Sequence, residues 1–153
     1  MSDGPNIGQA GVLDGLEARL SRLTPGHARV WGTLAPGEML RHLIDALQMA
    51  LGERSVRMLD NILTRSVIKY GALHTSFPWP KGLPTMPEAD PKKRGSRPGD
   101  FDADRQLVMA LMRRLVEPGA RYGKHPAFGE LTRHEWLVWA YRHADHHFRQ
   151  FAI

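Results

Sequence analysis

The chain of 153 residues contains no cysteine. Disulfide bridges, thiolate metal sites and a cysteine nucleophile are therefore excluded, while the redox compartment stays open. No apolar run approaches the roughly 18–20 residues that a membrane-spanning helix needs. The N-terminus also lacks a basic segment followed by an apolar one, so we expect no signal peptide, no membrane partner and a cytoplasmic protein.

The net charge is small, at +5 from 21 lysines and arginines against 16 aspartates and glutamates. This balance is mild for a protein that binds nucleic acid, so nucleic acid is not an expected partner. One basic cluster, Lys92, Lys93, Arg94 and Arg97, lies in a segment rich in proline and glycine. A solvated loop is the simpler interpretation of this cluster, and an anionic partner or substrate tail is the alternative.

Apolar residues recur at helical spacing in five segments, and no run alternates as a strand does. The sequence therefore predicts an all-α protein of five helices, four of which form a bundle. Residues 1–10 are expected to be a disordered tail, and residues 11–153 a single helical domain. The predicted helices cover residues 12–24, residues 36–51, residues 55–70, a segment from Asp100 or Asp102 to Pro118, and a segment from a Thr132 cap to Phe151.

Between the third and fourth predicted helices, residues 73–99 contain six prolines. This density excludes a long helix or a central strand and predicts a long loop. We expect its first half to pack on the body through Phe77, Trp79 and Leu83, and residues 89–99 to be solvated. On the third predicted helix, one face is shared by Val56, Leu59, Ile62, Leu63, Val67 and Tyr70.

The last predicted helix places two histidines in the middle of its apolar face. At about 100° per residue, one narrow stripe contains Trp136, Ala140, His143, His147 and Phe151. A buried imidazole needs partners for its ring nitrogens, and two imidazoles one turn apart can share a metal ion. The alternative is a pair of core histidines satisfied by backbone or carboxylate partners.

A catalytic metal usually has three protein ligands and an open position. His42, on the buried flank of the second helix, is the best candidate for the third ligand. Asp45 could orient His42 as a hydrogen-bonded carboxylate, or be an exposed charge. Gln150 could hydrogen-bond a ligand, or be a boundary amide. His146 is interpreted as a boundary residue, with a place at the rim of the site as the alternative.

The four remaining histidines lie in predicted loops or in the capping turn, where structural or surface roles are expected. His125 is the best candidate for an exception, because its loop precedes the last helix. No catalytic residue can be assigned from the sequence.

Three blocks of sequence resemble the DinB-like superfamily. Residues 143–150, H-A-D-H-H-F-R-Q, are similar to its last-helix signature H-x-x-H-H-R-x-Q, with Phe148 where an arginine is usual. Residues 31–43 resemble its second-helix opening, which carries a single histidine. Residues 125–129, H-P-A-F-G, followed by Leu131, Thr132 and Trp136, are similar to one uncharacterised branch of the superfamily.

This resemblance implies a four-helix bundle that holds a divalent metal ion, often zinc or nickel, through three histidines. These carry over onto His42, His143 and His147. Characterised relatives include transferases and isomerases that use low-molecular-weight thiols, and relatives often form homodimers. No apolar stripe is left over on the predicted helices to indicate a homodimer here.

We therefore expect a metal-dependent transferase or hydrolase that acts on a small electrophile, with a thiol as cosubstrate. A metal ion held by three histidines can bind a thiol and lower its pKa. The alternative is a non-catalytic bundle that binds a metal or senses a ligand. A third hypothesis is an interaction module that uses the basic cluster.

Overall fold

The computed structural model describes residues 4–153, and over this range the chain is helical with no strand. The class predicted from the sequence, all-α, is confirmed. A π-helical turn, Thr64–Ile68, runs directly into the third helix, and a 3-10 turn covers Pro87–Ala89. The five α-helices are α1 (Val12–Leu20), α2 (Pro36–Ala50), α3 (Lys69–Leu73), α4 (Phe101–Val116) and α5 (Arg133–Arg149).

Side-chain caps fix where α4 and α5 begin. The Thr132 hydroxyl accepts from Glu135 N at 3.2 Å, and the Glu135 carboxylate accepts from Thr132 N at 2.8 Å. This is the capping box predicted from the sequence. At the start of α4, the Asp100 carboxylate accepts from Ala103 N at 2.8 Å, so Asp100 rather than Asp102 is the cap. Both caps satisfy amides that have no partner inside the helix.

Four helices, α1, α2, α4 and α5, surround one hydrophobic core. α4 and α5 each contact α1 and α2, and they also contact each other. Arg41 of α2 forms a two-pronged ion pair with Asp104 of α4, at 2.6 Å and 2.9 Å. The largest side chains of the core include Leu16, Leu20, Met39, Leu40, Leu43, Leu47, Trp136, Phe148 and Phe151.

Helix α5 is buried on more than one side. Residues 135–140 are all buried, because α1, α2, α3 and α4 all contact this helix. The narrow apolar stripe expected from the sequence therefore underestimates how much of α5 lies inside. Opposite the histidines, Asp145 pairs with Arg19 of α1 at 2.8 Å.

The N-terminal segment differs from the disordered tail expected over residues 1–10. Ile7 is only 1% exposed, and its amide donates to Leu137 O at 3.2 Å. Residues 4–10 therefore contact the body of the domain through α5. Residues 1–3 lie outside the described part of the chain. At the other end of this region, α1 stops at Leu20 instead of residue 24.

The helix predicted over residues 55–70 is wrong in extent, and its shared apolar face is not covered by another element of the described chain. Helical structure begins only after Asn61, whose side chain accepts from Leu63 N and Thr64 N at 3.0 Å each. The helix starts here because an asparagine side chain can accept from backbone amides and so favours a helix N-terminus. The apolar spacing continues across Asn61 and therefore gave no sign of this start. The predicted face points outward, with Ile62 87% and Val67 67% exposed. An exposed apolar segment results that the sequence did not indicate.

The segment between α3 and α4 packs only partly as expected. Phe77 and Leu83 are exposed, and only Trp79 of the first half packs on the core. In the second half, Ala89 and Pro91 are buried. The second half is held in place by hydrogen bonds with residues of α2. The site described below depends on these hydrogen bonds.

Three of the four residues of the basic cluster form ion pairs. Lys92 lies 3.6 Å from Glu38, Lys93 lies 3.5 Å from Asp90, and Arg94 lies 3.1 Å from Glu88. These pairs fit the interpretation as a solvated loop. No helix within residues 4–153 has the length and apolar character to cross a membrane.

The corrected position of residues 62–73 gives a test of the fold. Changing Ile62 to serine should alter the free energy of unfolding by less than about 0.5 kcal/mol, because the side chain already faces water. Changing Leu73 to alanine should lower it by about 2–4 kcal/mol, because Leu73 is buried against the core. Urea denaturation measures both values. Equal losses for the two variants would show that residues 55–70 do bury an apolar face.

Candidate metal centre

Three imidazoles from two helices meet at one point. His42 of α2 and His143 of α5 approach with their Nε2 atoms 3.0 Å apart, and the Nε2 atoms of His143 and His147 are 3.1 Å apart. One ligand nitrogen from each ring lies within 4.8 Å of the other two. Within residues 4–153, no further histidine or carboxylate joins this group. The structure thus brings together the three histidines that the sequence selected.

Hydrogen bonds on the far side of the rings fix two of the three tautomers. His42 Nδ1 donates to the carbonyl oxygen of Ala89 at 2.7 Å, and His147 Nδ1 donates to Gln150 Oε1 at 2.9 Å. A neutral imidazole with a proton on Nδ1 has a lone pair on Nε2. His42 and His147 therefore both direct an Nε2 lone pair toward His143 Nε2.

Burial keeps these imidazoles neutral. His42 is 6% and His147 7% exposed, and His143 is half-buried. Loss of solvation lowers the pKa of His42, and it lowers the pKa of His143 and His147 well below the ordinary range. The neighbouring imidazoles lower the pKa of His143 further. A neutral imidazole is the form that binds a metal ion.

The donor set fits a metal ion. Two nitrogens that each lie about 2.0–2.1 Å from a tetrahedral zinc ion are about 3.3 Å apart. Two of the three separations, 3.0 and 3.1 Å, are close to this value, and the third lies within 4.8 Å. Three facing nitrogens need either a proton on His143 or a cation between them, because lone pairs repel each other. The three histidines could hold a metal ion, and imidazole donors suit zinc, nickel, copper or iron.

Asp45 does not orient His42 directly, and it is not an exposed charge. Its side chain is fully buried, and its carboxylate accepts from Ser96 N and Ser96 Oγ at 2.7 Å each. Arg54 lies 3.2 Å away on the other side. Both sequence-based alternatives for Asp45 are therefore wrong. The orienting acceptor is the Ala89 carbonyl, a backbone group that no residue pattern identifies.

Gln150 is buried and hydrogen-bonds a proposed ligand, as one of its two sequence interpretations expected. The turn at Gly32 packs closely against it. A Cβ atom at Gly32 would lie 3.0 Å from Gln150 Nε2, and the φ of +90° there favours glycine. Val30 N also donates to Gln150 O at 2.6 Å. The segment before α2 therefore fixes the end of α5.

His146 lies at the rim of the centre, beside two tryptophans. Its ring is 5.0 Å from that of Trp31 and 6.0 Å from that of Trp79. The Trp79 ring is also 6.0 Å from the ring of His143, and its Nε1 donates to Ala72 O at 3.0 Å. Arg142 of α5 donates to the carbonyls of Thr75 and Phe77, which holds the Trp79 segment in place.

His125 shapes a turn and does not join the metal centre. Its Nδ1 accepts from Ala127 N at 3.2 Å and from Phe128 N at 3.1 Å, and its ring stacks on Phe128 with centroids 4.2 Å apart. Burial lowers the pKa of His125 to about 3. The structural role expected of loop histidines applies here, and the suggested exception does not.

The low pKa of His125 predicts a pH-dependent stability. In the unfolded chain this histidine has a pKa of about 6.5, so unfolding takes up a proton below that pH. The contribution of neutral His125 to the free energy of unfolding is fully present above about pH 7. It decreases by about 2 kcal/mol between pH 7 and pH 5. His125→Asn keeps an acceptor for the turn but cannot titrate. Urea denaturation of both metal-free proteins should show this extra loss only in the wild type, and parallel pH profiles would contradict it.

Comparison with known proteins finds one family. Residues 11–153 match the model of the family described as "Protein of unknown function (DUF1569)". No curated protein and no solved structure matches the chain. Because the match covers far more than half of the sequence, the chain belongs to the DUF1569 family.

Proposed function

We propose that this protein binds one zinc or nickel ion through His42, His143 and His147, and that the site is catalytic. The observation that carries this proposal is the convergence of three neutral imidazoles from α2 and α5, two with their tautomer fixed by a hydrogen bond. The reaction class we propose is transfer to, or hydrolysis of, a small electrophile. A low-molecular-weight thiol is the proposed cosubstrate.

The number of ligands supports a catalytic site over a closed one. The described residues supply three donors to this group, and a tetrahedral ion with three protein ligands keeps one position for a small molecule. When bound, the ion supplies a Lewis acid that lowers the pKa of a thiol or a water molecule. The thiol has to come from outside, because the chain has no cysteine.

The protein's own residues orient the ligands and form the walls of the site. Ala89 O and Gln150 fix the outer two imidazoles, and such hydrogen bonds raise the basicity of a ligating nitrogen. Trp31 and Trp79 flank His146 at the rim of the site. We assign no catalytic residue beyond the three ligands.

The packing of the helices supports a DinB-like four-helix bundle as the architecture. α1, α2, α4 and α5 share one core, and the ligands come from α2 and α5 as the resemblance implies. Phe148, which stands where the signature has an arginine, is fully buried, and the guanidinium of Arg19 lies 5.3 Å from its ring centre. No arginine role at that position is carried over.

A non-catalytic metal site is the second candidate. Low exposure of His42 and His147 favours it, as does the Trp79 ring beside His143. An ion held there would fasten α2 to α5 without meeting a substrate. Metal removal would then mainly lower the melting temperature.

Metal content tests the site itself. Protein purified without a histidine tag should contain about one zinc or nickel ion per chain by mass spectrometry, because three fixed imidazoles form a strong donor set. His42→Ala, His143→Ala and His147→Ala should each lose the ion. His134→Ala is the matched control, an exposed histidine of the same helix α5, and should keep it. A wild type that binds no ion even after zinc or nickel is added would return the three histidines to a core-packing role.

A thiol titration separates the two candidates. Cobalt-substituted protein should gain a sulfur-to-cobalt charge-transfer band when 2-mercaptoethanol is added, because the proposed open position accepts a thiolate. The band should be absent from the His143→Ala variant under the same conditions. An unchanged spectrum in a protein that does hold cobalt would favour the non-catalytic site.

A further inference from the structure

The carbonyl that orients His42 belongs to the segment between α3 and α4. Asp45 of α2 and its ion-pair partner Arg54 both hydrogen-bond to this segment. We propose that Asp45 and Arg54 are positioning residues of the metal centre. They hold residues 86–96 so that Ala89 O stays against His42 Nδ1. This inference rests on the proposed function for its effect on metal binding, while the effect on the His42 ring exists without a metal.

Ala89 can orient His42 only through the backbone around it. The Ala89 carbonyl follows the 3-10 turn Pro87–Ala89, whose last amide donates to Met86 O at 2.9 Å. Its methyl side chain has no polar group that could hold the turn in place. The position of the carbonyl therefore depends on what fixes the neighbouring residues.

Arg54 contacts the backbone on both halves of the segment, at Glu88 and at Arg94. Its Nε and Nη2 donate to Glu88 O at 3.1 Å and 2.9 Å, one residue before Ala89. Nη2 also lies 3.3 Å from Arg94 O, on the returning half of the segment. The planar guanidinium can serve these acceptors together because its donors form a rigid fork.

Asp45 anchors this fork and the end of the segment to α2. Its carboxylate pairs with Arg54 Nη1 at 3.2 Å and accepts two hydrogen bonds from Ser96. Asp45 lies three residues after His42 on the same helix. The position of the segment is therefore fixed relative to the His42 imidazole, which the segment orients through Ala89 O.

The segment itself is a tight turn that transmits this anchoring. Gly95 N donates to Asp90 O at 2.9 Å, and Arg94 N donates to Pro87 O at 3.0 Å. A Cβ atom at Gly95 would lie 2.6 Å from the carbonyl carbon of Asp90, so the two halves touch closely. Because the halves are joined in this way, holding Glu88 and Ser96 also holds Ala89.

A matched ion pair elsewhere on α2 provides the control. Arg41 and Arg54 both come from the same region of the chain, and their side chains are 23% and 26% exposed. Both pair with a carboxylate that is almost fully buried, Asp104 at 4% and Asp45 at 0%. Arg41, however, joins α2 to α4, and its hydrogen bond and ion pair go to Asp104 instead of the Ala89 turn.

Zinc affinity, measured by competition with a chromophoric chelator, tests the inference. Arg54→Ala should bind zinc about 10–100-fold more weakly, the range found when a hydrogen-bond partner of a ligand is lost. Arg54→Lys should fall between, since it keeps the charge beside Asp45 but lacks the fork. Arg41→Ala should lose as much melting temperature while its zinc affinity stays within about threefold. Equal zinc affinity in Arg54→Ala and Arg41→Ala would overturn the inference.

A second readout needs no metal. The Nδ1 proton of His42 should give a slowly exchanging signal in the nitrogen-15 spectrum of the metal-free protein, assigned by its loss in His42→Asn. Arg54→Ala should broaden or remove this signal, and Arg41→Ala should keep it. If the protein binds neither zinc nor nickel, the proposed function fails and this spectrum alone decides the inference. An unchanged His42 signal in Arg54→Ala would refute the positioning role whether or not zinc binds.

Discussion

The close approach of three neutral imidazole nitrogens is the constraint on which the centre of this protein depends. His42 and His147 direct lone pairs toward His143 Nε2 at 3.0 and 3.1 Å. Burial lowers the pKa of both histidines and so keeps their rings neutral. Neutral lone pairs at this distance repel unless a proton or a cation lies between them. The helices around the site therefore hold together a group that needs a shared proton or a cation.

Much of the remaining structure keeps these rings in place. One outer ring depends on Gln150, which is packed by the turn at Gly32. The other depends on Ala89 O, which is placed by contacts with Arg54 and Asp45 around it. In both cases a segment distant in sequence supplies the hydrogen bond, so the irregular parts of the chain are as important to the centre as the helices.

The sequence predicted the helices that carry the ligands, because periodicity and capping residues act locally. His143 and His147 are four residues apart on a capped amphipathic helix, and His42 lies on the apolar flank of another. The partners of the rings were harder to predict. No residue type identifies a backbone carbonyl such as Ala89 O as a hydrogen-bond partner. Asp45 is buried against Arg54 and Ser96, and its contact with Ser96 depends on the tertiary fold.

Residues 55–70 were misinterpreted for the opposite reason. Their apolar residues have helical spacing, but spacing cannot say whether another element covers the face. In the structure Ile62 and Val67 remain outside, and Asn61 begins a shorter helical segment. Local patterns thus identified the helices that pack against other helices. They failed for residues 55–70, where no other element of the described chain covers the apolar face.

Anomalous diffraction at the zinc absorption edge, from crystals of the protein grown with zinc, tests the central claim most directly. We expect one strong peak per chain, about 2.0–2.1 Å from the Nε2 atoms of His42, His143 and His147. A peak at another set of residues, or no peak beside three imidazoles that share only a proton, would contradict it.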